Sequence, residues 1–260
     1  MGTECVRRDD EGPLAIITID HPPLNLFDRQ LIEGLTAAVD GLAERPPRAA
    51  LIRAEGKVVS AGVDVHLFAG TNVADGTRQM AEMLRITHAV EALDYPVVFS
   101  AHGLTLTAAF ELALACDMIV AGESARFGLV EATVGLSPGM GGTQRLARIA
   151  GPNRARELVM SGEIYPAATL EQWGVVNAVH PDEALAAAAR GLAGGLAAGP
   201  TLAHGVTKRV IRAWDSGGGT AAADRVTAGE VGGLYGSEDF QGGVRSLLDA
   251  GPGKAEFNGR

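Results

Sequence analysis

The chain has few aromatic residues, almost no cysteine and a deficit of positive charge. Aromatics are 5% of its 260 residues, so Val, Leu, Ile and Ala must fill the interior. Two cysteines, Cys5 and Cys116, are too few and too far apart for a disulfide framework or a zinc site. Cys116 lies in an apolar run, where a thiol behaves as a small hydrophobe. His21, His66, His88, His102, His180 and His204 show no metal-ligand spacing, and no metal is expected. A formal net charge of -9 argues against nucleic acid as a partner, which would want a basic stripe. It does not exclude an anionic small ligand, because helix N-termini and a few local cations suffice. No apolar run is long enough to span a bilayer. The charged N-terminal residues Glu4, Arg7, Arg8, Asp9, Asp10 and Glu11 leave no signal-peptide core. No membrane contact and a reducing cytoplasm are the expectation.

What is present is a chain 47% hydrophobic and 20% charged, which suits one large domain or one domain with a helical appendage. Its 35 glycines are spread without a repeat period and read as turns and close backbone approaches. Short apolar runs alternate with helical patterns in the first half. Leu14 to Ile19, Ala49 to Ile52, Pro96 to Ala101 and Asp117 to Ala121 read as strands. Leu31 to Ala43 has helical spacing through Leu31, Leu35, Val39 and Leu42. Val73 to Leu93 puts Met80, Met83, Leu84, Thr87, Ala89 and Val90 on one side. Ala108 to Cys116 is apolar on nearly all sides, hence a buried helix. This alternation predicts an α/β fold with crossovers and a largely parallel sheet. From about Asn153 the chain turns to Ala-rich helices, broken at Pro166, Pro181, Pro200 and Gly217 to Gly219, which predicts a helical layer on the same core.

Two glutamates stand out against that background. Glu111 lies between Phe110 and Leu112 in the apolar helix, and Glu131 between Val130 and Ala132, while no Lys or Arg occurs between Arg85 and Arg126. A carboxylate buried without a partner shifts its pKa or has a task. Two of them are material for general acid and base work near neutrality. Glu131 has a plainer reading as the start of a turn.

Three loops surround these acids in sequence. Ser60 to Asp64 is a small-residue bend that reads as a turn capped by Asp64, or as backbone N–H groups offered to a ligand carbonyl. His102 to Ala109 joins a strand to the buried helix, whose first N–H groups are unpaired by geometry and able to hold a negative oxygen. Thr107 is placed to N-cap it. Gly135 to Leu146 looks like a phosphate loop but lacks the Lys-Ser/Thr pair and the dinucleotide glycine spacing. It reads as a glycine-rich entry to a helix from Thr143.

Together these segments resemble the crotonase, or enoyl-CoA hydratase/isomerase, family. The likeness starts at Asp20 to Asn25 and runs through Ser60 to Asp64, Glu111 to Asp117 and Pro138 to Leu146, ending at Asp239 to Val244 and Phe257 to Arg260. It implies a spiral of ββα turns over residues 1–195. A C-terminal helical region, 196–260, would pack on the core and on neighbouring subunits in a homotrimer or a dimer of trimers. It implies an acyl-CoA thioester substrate, with coenzyme A as part of that substrate and no separate cofactor. The oxyanion hole would be the N–H groups of Val63 and Ala108. Glu111 would take a proton from water and Glu131 would deliver one to the alpha carbon, making the protein an enoyl-CoA hydratase of fatty-acid β-oxidation type. A Δ3,Δ2-enoyl-CoA isomerase, using Glu131 alone, is the alternative within the family. A catalytically weak acyl-CoA-binding protein is the alternative outside it. Coenzyme A contacts would fall on Ala61, Gly62, Asp64, Val65 and Lys254, with Lys57 a further candidate. His66 stands where several relatives have lysine, and Val130 where proline is common. Thr107, Ala108 and Ala109 replace a run of glycines, so that Cβ atoms crowd the thioester and left-handed backbone is disfavoured there.

Overall fold

The computed structural model describes residues 5–260; residues 1–4, including Glu4 of the charged N-terminus, lie outside it. The strands are β1 (Val6–Glu11), β2 (Leu14–Ile19), β3 (Ala49–Ala54), β4 (Val97–Ala101), β5 (Leu104–Leu106), β6 (Met118–Gly122), β7 (Arg126–Gly128), β8 (Tyr165–Pro166) and β9 (Ala178–His180). Six form a sheet in the order β1-β2-β3-β4-β6-β9, and three a small sheet in the order β5-β7-β8. Within the large sheet only β1 runs antiparallel to its neighbour. All six residues of β2 are buried, as an inner strand covered on both faces requires. Strand β1, missed by hydropathy reading, is hidden by its charges. It closes a hairpin with Glu11 opposite Leu14, and the first of the two turn residues is Gly12 at φ 60. Its Arg7 and Arg8 pair with Asp20, Glu55 and Asp10 at the sheet edge, where charge discourages further strand addition.

Alternation along the strands divides the core. Ala15, Ile17, Ile19, Ala50, Ile52, Phe99 and Ile119 face one cluster, and Leu14, Ile16, Ala49, Leu51, Val98 and Val120 the other. Helix α1 (Arg29–Glu44) presses Leu31, Leu35, Val39 and Leu42 into the first cluster, capped at its start by Asp28. Each such side chain contributes about 1.5–3 kcal/mol on burial. Helix α2 (Val73–Ala92) buries Met83, Ile86, Thr87 and Val90. Ile86 takes the inner place expected for Leu84, which is half-buried. Helix α3 (Ala108–Ala115) is buried at all eight positions. Helices α4 (Gly142–Ala150), α5 (Pro152–Ser161) and α6 (Ala167–Gln172) follow. Helix α7 (Asp182–Ala198) then covers the second face with the four-residue stripe Leu185, Ala189, Ala193, Ala197. The expected division at 195/196 falls inside α7; the helix ends at Ala198 and α8 (Thr201–Ala213) starts after Gly199 and Pro200. Helices α9 (Gly219–Gly233) and α10 (Glu238–Ala250) complete the C-terminal part. The last residues fold back on it: Asp239 accepts from the N–H groups of Asn258 and Gly259. No helix among the described residues is long and apolar enough to cross a membrane.

The small sheet positions the site. The chain places β4 in the large sheet, then β5 in the small one, then α3. It repeats this with β6 and β7 and a short 3-10 helix, Glu131–Val134. Successive turns stack, because β4 pairs parallel with β6 and β5 with β7. The preceding turn joins through a parallel bridge of Ser60 to Thr105. Three short parallel segments thus end side by side. Strands β5 and β7 went unread in the sequence because three residues carry too little periodicity to register.

Candidate active site

Each of the three segment ends delivers part of the site. Beyond Ser60 the chain reaches Val63. Beyond β5 it enters α3 with Ala108 and Glu111. Beyond β7 it reaches Glu131. The first two loops are held together by backbone bonds from Ser60 N–H to the Leu104 carbonyl and from Leu106 N–H to the Ser60 carbonyl. They touch further on, since a Cβ added to Gly62 would sit 3.1 Å from Thr107 Oγ1. The N–H groups of Val63 and Ala108 donate to no acceptor among the described residues. In the bend, Phe27 bonds the Gly62 carbonyl and the Asp64 N–H. An extended chain turns successive N–H groups to opposite sides, so that of Val63 points away from Phe27. Ala108 N–H is the first of the unpaired amides at the start of α3, where the helix dipole favours negative charge.

Glu111 is 2% exposed. Its Oε1 accepts two backbone N–H bonds at 2.8 Å, from Met140 and Gly142, at the head of α4. The glycine-rich stretch therefore does more than open a helix: its amides aim Glu111. Side chains must stay absent there, since a Cβ on Gly142 would stand 2.7 Å from Glu111 Cγ. Arg145, also buried, is the cation that the local sequence around Glu111 lacks. It is spent on Glu91 and on the Met140 and Gly141 carbonyls, so it acts on Glu111 through its field alone. Glu131 is 8% exposed, and its Oε2 has no hydrogen-bond partner among the described residues. It begins the 3-10 turn, as the plainer reading expected, but it is turned inward.

Burial pushes the Glu111 carboxyl up to about 7, against the pull of the Gly142 and Met140 amides and the Arg145 charge. Burial, and then the negative charge of Glu111, push Glu131 to about 7 as well. The two groups sense each other and titrate as a pair. Their surroundings are unequal. Amide donors favour the ionised form of Glu111, whereas the orphaned oxygen of Glu131 favours the neutral acid. Near neutrality the arrangement holds one base and one acid. A stability consequence follows. Both folded-state values lie above the ordinary carboxylate value of 4.5. The stabilisation from these protonated groups is therefore present below about pH 4.5 and lost as pH rises through about 7. The melting temperature of Glu131→Gln is expected to fall less than that of the wild type across this interval. Parallel slopes in a thermal-melt series from pH 4.5 to 8 would show that the carboxyl is not held protonated.

Thr107 corrects an expectation. It does not cap α3: its side chain makes no cap bond, and its backbone sits at φ 48, ψ −120. The backbone conformation that disfavours side chains falls on Thr107, while Ala108 and Ala109 are helical. The alanines thus fit without strain. Of the residues expected at coenzyme A, Ala61 has a carbonyl that is free among the described residues, and Val65 an exposed side chain. The Gly62 N–H is taken by Ser60 Oγ, and Asp64 caps the 3-10 turn Val65–Leu67 and bonds the His66 ring. Lys57 and Lys254 are exposed, the latter on the C-terminal tail.

A cavity of about 770 Å³ opens at the far end of α3, bounded by Cys116, Asp117, Arg148, Lys208 and Trp214. Neither Glu111 nor Glu131 lines it. Most of its cations are matched by acids, Lys208 with Asp117, Arg145 with Glu91, and Arg148 with Glu91 and Asp215, while Arg212 bonds the Glu91 backbone carbonyl. The chemistry lies with the carboxyl pair.

The sequence profile of the enoyl-CoA hydratase/isomerase family matches residues 9–230. A probable enoyl-CoA hydratase of Rhizobium meliloti is 34% identical over 188 residues, covering 71% of this chain and 72% of that protein. A 2,3-dehydroadipyl-CoA hydratase of Escherichia coli is 33% identical over 202 residues, covering 76% and 77%. The crystal structure of an enoyl-CoA hydratase subunit I from Geobacillus kaustophilus superposes with a TM-score of 0.91 at 30% identity, covering 98% of each chain.

Proposed function

The chain belongs to the enoyl-CoA hydratase/isomerase family, and we propose that it is an enoyl-CoA hydratase, adding water across the double bond of a trans-2-enoyl-CoA. The observation that carries this reading is the unequal pair of buried carboxyls, Glu111 held by two amides and Glu131 left with a free oxygen, beside two unpaired backbone N–H groups. In this reaction the thioester oxygen sits against the N–H groups of Val63 and Ala108, which withdraw electrons from C3. Ionised Glu111 takes a proton from water as its oxygen bonds C3. The double-bond electrons move to the thioester as an enolate, whose charge the two amides stabilise. Protonated Glu131 then gives its proton to C2. Water has added in full, and the pair keeps one proton, now on Glu111; its return to Glu131 resets the site. One preorganised oxyanion donor is typically worth about 2.7–4 kcal/mol of barrier, so the loops matter as much as the acids.

Coenzyme A is part of the substrate here, and no separate cofactor enters. Its recognition is assigned to Ala61, Gly62, Asp64, Val65 and Lys254; the Ala61 carbonyl, free among the described residues, and the exposed Val65 support the contacts at these two positions. Assembly as a trimer or a dimer of trimers through the C-terminal helices is supported by Val244, Leu247 and Leu248, exposed along α10; a monomeric mass by light scattering would remove that assignment. A β-oxidation setting in the cytoplasm is consistent with the substrate class. The test of the function is direct. Purified protein is offered trans-2-enoyl-CoA thioesters of four to sixteen carbons, and loss of the enoyl absorbance with formation of the 3-hydroxyacyl product is expected with at least one. Folded protein that hydrates none of them is not an enoyl-CoA hydratase.

A further inference from the structure

Thr107 bears two costs that a glycine at the same place would not. It is a β-branched residue at φ 48, ψ −120, a region such side chains rarely enter. Its hydroxyl is buried, the residue being 7% exposed, and Oγ1 has no hydrogen-bond partner among the described residues. A buried unpaired hydroxyl opposes folding and asks for an explanation. The backbone cannot relax to supply one. Thr107 N–H donates to the Gly128 carbonyl at 2.8 Å, and the Thr107 carbonyl accepts from Glu111 N–H at 2.9 Å. The backbone is pinned on both sides of the side chain.

That place is the seam between the two loops of the oxyanion hole. Oγ1 is the Thr107 atom nearest Gly62, 3.1 Å from where a Cβ would stand, ahead of Cγ2 at 3.6 Å. Gly62, at φ 119, precedes Val63, and Thr107 precedes Ala108. The orphaned hydroxyl therefore lies between the residues next to both free amides. An oxygen gripped by those amides is the group best placed to complete its bond.

Resting on the acyl-CoA reading above, we propose that the Thr107 hydroxyl donates a third hydrogen bond to the substrate's thioester oxygen. It adds to the backbone amides a side-chain donor that strengthens as negative charge develops on that oxygen.

The test uses butyryl-CoA with ¹³C at its carbonyl, a saturated ligand that binds without turning over, read by isotope-edited infrared difference spectroscopy. Bound to the wild type, its carbonyl stretch is expected to move to lower frequency than in free solution. Thr107→Val keeps the shape and removes the hydroxyl. It is expected to recover part of that shift, to lose about 10-fold or more in kcat with crotonyl-CoA at little change in KM, and to melt no lower than the wild type. Thr107→Ser, which restores the hydroxyl, is expected to restore the wild-type stretch. A Val variant with the wild-type stretch and turnover overturns the role of Thr107. So do Val and Ser variants that lose turnover alike, which would assign the residue to packing. A wild-type carbonyl that binds without any shift overturns the oxyanion hole itself and, with it, the reaction proposed.

Discussion

Glu111→Gln and Glu131→Gln are each expected to lower kcat for the enoyl-CoA substrate by about 10²–10⁴-fold, the usual worth of a positioned proton donor or acceptor. Acyl-CoA binding should change little. Glutamine keeps the size of glutamate, and its carbonyl oxygen can still accept from the Met140 and Gly142 amides at position 111. The loss falls on kcat because the acids act on protons that move only in the transition state. The wild-type profile of kcat/KM against pH, which reports the free enzyme, should be bell-shaped around the shared values near 7. On the acid side Glu111 is protonated and cannot take a proton; on the alkaline side Glu131 is ionised and cannot give one. Steady-state kinetics with calorimetric binding of a saturated acyl-CoA decide the matter. Turnover within about threefold of wild type in both variants would take these residues out of the chemistry. Isomerisation of a 3-enoyl-CoA that survives Glu111→Gln, with hydration lost, would move the assignment to the isomerase branch.

Gly142→Ala is expected to be nearly as damaging, although it removes no functional group. The new Cβ would stand 2.7 Å from Glu111 Cγ and 3.1 Å from its Oε1, with Leu129 Cδ1 also 3.1 Å away. Glu111 is buried among apolar neighbours and tied to the Gly142 N–H itself, so it cannot swing aside without breaking its bonds. Overpacking of this kind costs about 1–3 kcal/mol of stability. Displacing a catalytic group by about 1 Å can cost about 100-fold in rate. A fall in kcat of about that size is expected, together with a lower melting temperature. Gly191→Ala is the control. Gly191 lies inside α7 with nothing within 4 Å of an added Cβ, and alanine there should stabilise by about 0.5–1 kcal/mol with activity unchanged. Full activity in Gly142→Ala would mean that the contact between α3 and α4 yields freely, and that Glu111 is not held as described.

Much of the architecture was legible in the chain because burial leaves periodic marks. The stripe Leu31, Leu35, Val39, Leu42 announced α1, and the largely apolar run Leu14 to Ile19 announced the strand β2. Strand β1 was not legible because the charges of Arg7 to Glu11 suit an edge and mimic a solvated tail. Glu111 was legible as buried because its helix has no polar face to offer. Its partners were not, since Met140 and Gly142 lie 29 and 31 residues away and bind through backbone atoms that no side-chain pattern encodes. Thr107 was misread for a similar reason. Its residue type suggests a cap, whereas its dihedral angles and its orphaned hydroxyl exist only in the folded chain.

The amino-acid order alone determined that this protein has an apolar α/β core and that Glu111 lies inside it, with Glu131 a candidate beside it, because hydropathy is a property of residues and their spacing. Only the tertiary structure decided what those carboxyls are. The parallel stacking of β5 on β7 and of Ser60 on β5 brings Val63, Ala108, Glu111 and Glu131 to one place. Whether an acid is a base, a donor or a structural strut depends on which amides and charges surround it there, and that is set by contacts between segments far apart in the chain.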